Sequence, residues 1–263
     1  MKKELEKYLK ADFIGRNLHY FGSLPSTNIE AKKIAKESPE GTVVISEGQT
    51  SGKGRLGRSW VSPKGKGIWM SMVLKPKVEA RKIASISLVA AAAVSMALKD
   101  IGIDSGIKWP NDILVEGKKV AGILSETSFQ GSLVDYVVLG IGINVNLEED
   151  DFPDSLKEKA SSLKFVKGHD IDRVRLLASV LNHFEKLYQP FMVGGDLSET
   201  IEIVREGSVL KDKQVKILGT SSEKTARVQG IDGEGKLVVK YENGSVENLA
   251  YGEISVRGLD GYI

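Results

Sequence analysis

Three glycines and three cations fall within seven residues, Gly52-Lys53-Gly54-Arg55-Leu56-Gly57-Arg58, and Ser59-Trp60 follows with a large aromatic ring. From Gly48 to Val78 the chain has no Asp or Glu, while Lys53, Arg55, Arg58, Lys64, Lys66, Lys75 and Lys77 are all basic. Glycine lets backbone approach a ligand closely, and guanidinium and ammonium groups neutralise anionic oxygens, so this loop is suited to wrapping an anion. A solvated basic turn satisfies the same residues.

Two phosphate-binding patterns nearly match. Gly52-x-Gly54-x-x-Gly57 satisfies the dinucleotide fingerprint, and Gly52-x-x-x-x-Gly57-Arg58-Ser59 is one Lys-to-Arg change from a P-loop. Both need a helix that starts at the last glycines and aims its N-terminal amides at phosphate. The next residues, Trp60-Val61-Ser62-Pro63-Lys64-Gly65-Lys66-Gly67, are punctuated too often by Pro and Gly to be helical. The loop is therefore expected to act as a flexible basic lid and not through a helix dipole.

Other polar groups stand out against apolar surroundings. Ser26-Thr27-Asn28 precede a helical stretch, and Thr27 with Glu30 has capping-box spacing. The trio either starts that helix or holds small polar ligand groups at its N-terminus. Trp109-Pro110-Asn111-Asp112 interrupts strand-like sequence, where a carboxylate is costly unless paired or bound to a cation. Asp112 fits a turn cap equally well. Lys119, next to Lys118, fits a ligand contact or a solvated strand edge. Gly140 and Gly142, in Gly140-Ile141-Gly142-Ile143-Asn144, suit close approach of backbone to ligand or a β-bulge. His19, His169 and His183 lie far apart and cysteine is absent, which removes thiolate metal sites, disulfides and thiol nucleophiles. No Ser-His-Asp arrangement suggests itself. These parts suit an in-line attack on a nucleotide phosphate, which depends on positioning and charge neutralisation more than on a protein nucleophile.

The elements that must hold these groups alternate between helices and hairpin-connected strands. Leu5, Tyr8 and Leu9 fit a short amphipathic helix over residues 2–10, and residues 29–37 fit another behind Ser26-Thr27-Asn28. Residues 42–46 and 68–74 read as strands. Residues 83–99, apolar nearly all round, read as a helix buried against a sheet. Ile107-Lys108-Trp109 reads as a strand broken by Pro110-Asn111-Asp112 and resumed at Ile113. Residues 118–126 and 133–139 come next as strands around a Gln130-Gly131 turn, and residues 170–188 form the last long helix. There is no strict βαβ repeat, so the expected fold is α+β: a mixed, largely antiparallel sheet with flanking helices over residues 1–208. From 209 to 263 the pattern changes to short strands, with Asp232-Gly233 and Asn243-Gly244 as hairpin signals, which predicts a small SH3-like β barrel.

Composition bounds the possible partners. The chain has 263 residues, 41% hydrophobic and 27% charged, enough for one large domain and a small one. A net charge of +2 does not by itself argue for nucleic acid. The longest apolar run, residues 88–98, is short for a membrane span, and the charged N-terminus lacks a signal region, so a cytoplasmic location without membrane contact is the expectation.

Taken together, Ser26-Thr27-Asn28, Gly52-Lys53-Gly54-Arg55-Leu56-Gly57-Arg58, Lys108-Trp109-Pro110-Asn111-Asp112, Lys119-Val120-Ala121-Gly122-Ile123-Leu124 and Gly142-Ile143-Asn144 resemble the biotin protein ligases. The motifs occur in that family's order and spacing over residues 19–146, and Gly252-Glu253-Ile254 resembles part of the family's small terminal domain. Each motif alone is weak, but five in sequence are specific.

The resemblance implies the fold shared by biotin ligases and class II aminoacyl-tRNA synthetases. It also implies a two-step reaction: ATP activates biotin as biotinyl-5′-AMP with release of pyrophosphate, and the biotinyl group passes to one lysine of a biotin carboxyl carrier protein. Ser26, Thr27, Asn28, Gln49, Gly52, Lys53, Arg55, Lys119 and Gly122 would then bind biotin. Gly54, Arg55, Arg58, Trp60, Asn111 and Asn144 would serve the adenylate, with Trp60 packing on the base. Arg55, Lys119 and Asp112 would carry the chemistry, and Asp112 would help place Mg²⁺ or the reacting groups. A homodimer through the edge of the central sheet is implied as well. Only 18 residues precede the first motif strand at His19, so the winged helix-turn-helix of the family's repressor branch, and DNA as a partner, are not expected. A lipoate–protein ligase of the same superfamily and a non-catalytic biotin-sensing module are the alternatives.

Overall fold

The structure, a computed structural model, describes residues 1–218, 223–251 and 255–258. Strands β1 (Leu18–Phe21), β2 (Thr42–Ser46), β3 (Gly67–Leu74), β4 (Gly106–Lys108), β5 (Asp112–Val115), β6 (Lys118–Gln130) and β7 (Leu133–Asn144) form one seven-stranded sheet in the order β1-β2-β3-β7-β6-β5-β4. Only the β1–β2 pair among them is parallel. The β-branched run Thr42-Val43-Val44-Ile45 is buried on both faces, as suits an inner strand.

Helices α1 (Lys2–Leu5), α2 (Thr27–Ile34), α3 (Ile86–Asp100), α4 (Asp154–Lys157), α5 (Leu163–Lys167), α6 (Arg173–Gly194) and α7 (Ser198–Glu206) flank the sheet. Ala31 of α2, with the following Ala35, packs on Val44, Val73 and Val138 of one face. On the other face α3 and α6 build the main core, where Ala90 to Ala93 are fully buried and let α3 lie close to its neighbours. The Asp172 carboxylate starts α6 by accepting from the Val174 and Arg175 amides at 2.9 and 3.1 Å, and Gly195 at φ 68° ends it.

The second sheet holds β8 (Gln214–Leu218), β9 (Glu223–Ile231), β10 (Leu237–Lys240), β11 (Val246–Leu249) and β12 (Ser255–Gly258) in the order β11-β10-β9-β8-β12, all antiparallel, consistent with an SH3-like domain. It is joined firmly to the first. Trp109 Nε1 donates to the Gly235 carbonyl at 2.9 Å, Arg205 Nε to Ile231 O at 2.8 Å and Ser85 Oγ to Glu234 O at 3.1 Å. Gly252-Glu253-Ile254 lies outside the described residues.

Several sequence expectations change. Lys108 and Asp112 are register partners in an antiparallel hairpin, so residues 107–115 are two strands around a turn with a cis Trp109–Pro110 bond, not one interrupted strand. The Thr27–Glu30 capping box does not form, because Ser26 is the N-cap and the Thr27 hydroxyl points to Gln49 and Ser71. The N-terminal helix stops at Leu5. A 3₁₀ segment, Ala80–Ser85, extends the apolar helix to Ala80–Asp100, long and apolar enough to cross a bilayer, yet most of it is buried within the protein as a core helix would be.

Candidate active site

The site grows from one row across the sheet. Lys108 pairs with Asp112, Asp112 with Gly122, Gly122 with Gly142, and Gly142 with Trp69. The two adjacent glycines make a dent, and the Trp60 indole fills it: a Cβ on Gly142 would lie 2.5 Å from Trp60 Nε1, and one on Gly122 would lie 2.9 Å from the ring. Trp60 Nε1 is buried there without a hydrogen-bond partner among the described residues.

The lid folds back on itself. Lys53 bridges Ser59, Gly54 N donates to Arg58 O at 2.7 Å, and Trp60 N donates to Gly52 O at 2.8 Å. Gly52 has to be glycine, since a Cβ would come within 2.4 Å of the Trp60 carbonyl. At the lid tip, Arg55 Nη1 donates to Asn111 Oδ1 at 2.9 Å. Burial pulls the Arg55 guanidinium below its usual range, while nearby Asp112 opposes that shift. Asp112 itself meets Lys119 Nζ at 2.5 Å, and the Lys119 ammonium also lies 5.0 Å from the centre of the Trp60 ring.

On one side of this junction is a small cavity of about 50 Å³, bordered by Ser26, Thr27, Asn28, Gln49, Lys53, Gly54, Arg55, Asn111, Lys119 and Gly122. Gln49 Oε1 accepts from Thr27 N at 2.8 Å, and Ser71 Oγ lies 2.7 Å from Thr27 Oγ1 and 2.6 Å from Asn28 Oδ1. Asn28 Nδ2 donates to Glu126 at 2.7 Å. Gly140 leaves room for that amide, because a Cβ there would lie 2.1 Å from Asn28 Oδ1. The result is a buried nest of donors and acceptors suited to a small cyclic amide.

On the other side is a cavity of about 510 Å³. Among the described residues Arg55, Arg58, Lys108, Lys119, Lys159 and Arg257 border it against a single carboxylate, Asp112. Such an excess of cations suits a polyphosphate. Lys108 is only 4% exposed, and burial, helped by neighbouring Lys119 and opposed by Asp112, pushes its ammonium down to about 8. Phe152, Leu156 and Ala160, from the segment around α4, and Val256 of β12 supply an apolar wall for a flat ring. The Asn144 amide is committed to the Ser161 carbonyl at 3.1 Å, so it anchors this segment while bordering the cavity.

Residues 19–144 match the Biotin/lipoate A/B protein ligase family, and residues 212–257 match the biotin protein ligase C terminal domain. The chain is 38% identical over 246 residues to the Bifunctional ligase/repressor BirA of Bacillus spizizenii, covering 92% of this chain and 75% of that one. The chain belongs to the biotin protein ligase family. This ligase is also 31% identical over 192 residues to the Biotin--[acetyl-CoA-carboxylase] ligase of Mycobacterium tuberculosis, covering 68% and 69% of the two chains. Its fold matches that of the Biotin protein ligase from Aquifex aeolicus, solved in complex with biotin and ATP, with a TM-score of 0.81 at 32% identity over 92% and 99% of the chains.

The structure brings every sequence-predicted residue except Gly52 to the border of one or both cavities; Gly52 instead closes the neck of the lid. Sequence reasoning missed Ser71, Glu126, Lys159, Arg257 and the apolar wall, and gave Lys108 no role. Ser71 carried a signal, as the one polar side chain in the buried run Trp69-Met70-Ser71-Met72-Val73.

Proposed function

We propose that this ligase activates biotin with ATP to biotinyl-5′-AMP, releases pyrophosphate, and transfers the biotinyl group to a lysine of a biotin carboxyl carrier protein. The observation that carries the reading is the meeting of the two cavities. One is a polar nest and the other a cationic, apolar-walled chamber, and they join where Arg55, Asn111 and Lys119 border both. An acyl-adenylate has that layout, with a neutral head, a central acyl-phosphate anhydride and a nucleoside.

In this reading Ser26, Thr27, Asn28 and Gln49 take the ureido ring, with Thr27 and Gln49 giving up the bonds they now make to each other and Asn28 its bonds to Ser71 and Glu126. Trp60 leaves the Gly122–Gly142 dent to make room, because about 50 Å³ is far below the several hundred Å³ usual for a ligand pocket. Lys53 and Gly54 close over the acyl chain. Arg55 and Lys119 neutralise the carboxylate as it attacks the α-phosphate, and then the charge that develops on the phosphorane oxygens. Arg58, Lys108 and Arg257 hold the pyrophosphate as it leaves. The indole of Trp60 and the 152–160 wall enclose the adenine, with Asn144 fixing the wall. Asn111 keeps Arg55 over the junction.

Magnesium fits the donor set as a companion of the nucleotide. Among the described residues no group of three or more His, Cys, Asp or Glu could cage an ion. Asp112 offers one carboxylate, and magnesium usually combines one or two carboxylates with waters and substrate phosphates. Bound beside Asp112, it would neutralise phosphate charge. The function is tested by incubating the protein with biotin, MgATP and a carrier domain and weighing the carrier. A gain of one biotinyl group on one lysine supports the reading, and an unmodified carrier in the presence of folded ligase opposes it.

A further inference from the structure

Arg55 and Asn111 border not two cavities but three. The third measures about 220 Å³ and lies on the α3 side of the junction. Ile83 and Ala84 of the 3₁₀ segment, Leu124 of β6 and Tyr251 of the small domain wall it, and Ser87, Ser125 and Thr127 also border it, with the Ser87 and Ser125 hydroxyls 3.1 Å apart. It exists because β5 stops pairing at Gly122. The Asn111 carbonyl takes the Ile123 amide at 3.0 Å, and past that point no strand among the described residues lies beside β6 on this side. The placement of the acyl-adenylate proposed above, in the first two cavities, leaves this space unassigned.

We infer that the third cavity is the channel through which the acceptor lysine side chain reaches the acyl carbon, an inference that rests on the acyl-adenylate reading above. Acyl transfer gathers three substituents at one carbon: the acyl chain, the departing phosphate and the incoming nitrogen. The three cavities converge at the Arg55–Asn111 bond in the same way. The apolar walls suit the four methylenes of lysine, and the hydroxyls offer acceptors to its N–H groups. The cations at the inner end, Arg55 with Lys119 beyond it, disfavour an ammonium and so favour the neutral, nucleophilic amine. In the step, the amine nitrogen forms a C–N bond to the biotinyl carbon and the C–O bond to the phosphate breaks. AMP leaves with that electron pair, and the surplus amine proton departs on its phosphate.

Filling the channel tests this. Ala84→Phe intrudes from the 3₁₀ segment and Thr127→Tyr from the sheet edge, so that one remains informative if the other does not fold. Each is assayed with biotin and MgATP for biotinyl-AMP formed without acceptor, and then for transfer to the carrier domain and to n-butylamine. The expected result is adenylate formation within twofold of the parent and transfer to both acceptors reduced at least tenfold. Undiminished transfer by a variant that adenylates normally overturns the inference. Adenylation falling in parallel with transfer also overturns it, since the cavity then serves the adenylate. Loss with the carrier alone overturns it as well, by making the Ala84 surface a docking site. Failure of the unsubstituted protein to form biotinyl-AMP is a different result, and sinks the function itself.

Discussion

Arg55 Nη1 and Asn111 Oδ1 lie 2.9 Å apart although they are 56 positions apart in sequence, and their bond ties the lid to the Trp109–Asp112 turn where the cavities meet. A hydrogen bond to a charged group contributes about 1.5–3 kcal/mol, so Arg55→Gly should release biotinyl-AMP roughly ten- to a hundredfold faster. Dissociation of preformed biotinyl-AMP into excess unlabelled ligand measures this. An unchanged rate would remove Arg55 from the role of principal cation in the lid.

Lys119 is poised between Asp112 at 2.5 Å and the Trp60 ring. If its charge is used mainly as the anhydride forms, Lys119→Ala should lower the adenylation rate by roughly 10²–10³-fold while biotin affinity changes only a few-fold. Single-turnover kinetics beside a biotin titration separate the two. Equal losses would make Lys119 a substrate-binding group only.

Trp60 must leave the Gly122–Gly142 dent for a bicyclic ligand to enter, whereas Trp69 and Trp109 are 1% and 2% exposed and fixed in the core. Biotin should therefore change the intrinsic fluorescence through Trp60 alone, and Trp60→Phe should abolish the change. A ligand-induced signal that survives in Trp60→Phe would contradict a moving indole.

The base of the lid depends on Glu47, which accepts from the Tyr20 hydroxyl at 2.6 Å and from Arg173 Nη2 at 3.0 Å. Burial works to raise its carboxyl, but these two partners outweigh burial and hold it below the usual carboxylate range. A lowered folded value means the stabilisation is present above the unfolded value of about 4.3 and is lost as pH falls through the folded value. Glu47→Gln should cost about 1–2 kcal/mol near neutral pH and much less near pH 3. Melting temperatures of both proteins at the two pH values decide it, and an equal deficit at both would rule out the ionised carboxylate as the cause.

Much of the site was legible because its motifs are local: the lid, Ser26-Thr27-Asn28, Asn111-Asp112 and the paired glycines are short strings whose chemistry can be read in place. The row from Lys108 through Asp112, Gly122 and Gly142 to Trp69 was not, because cross-strand register is set by pairings far apart in sequence. The same limit explains the hairpin at residues 107–115. Period-two alternation is identical for a strand that continues past Pro110 and for one that reverses there. Thr27 illustrates a tertiary override, since its hydroxyl had a local partner by spacing but took Gln49 and Ser71 instead. Arg257 borders the large cation-rich cavity from the small domain, which no reading of residues 1–208 alone could supply.

The central claim is that the joined cavities hold one acyl-adenylate. Its most direct measurement is the product formed from biotin and ATP before any acceptor is added. The expected result is about one equivalent of bound biotinyl-5′-AMP and one of pyrophosphate per chain, with both dependent on biotin, and biotinyl transfer once the carrier is added. Nucleotide cleavage that yields ADP, or pyrophosphate release that ignores biotin, would contradict it.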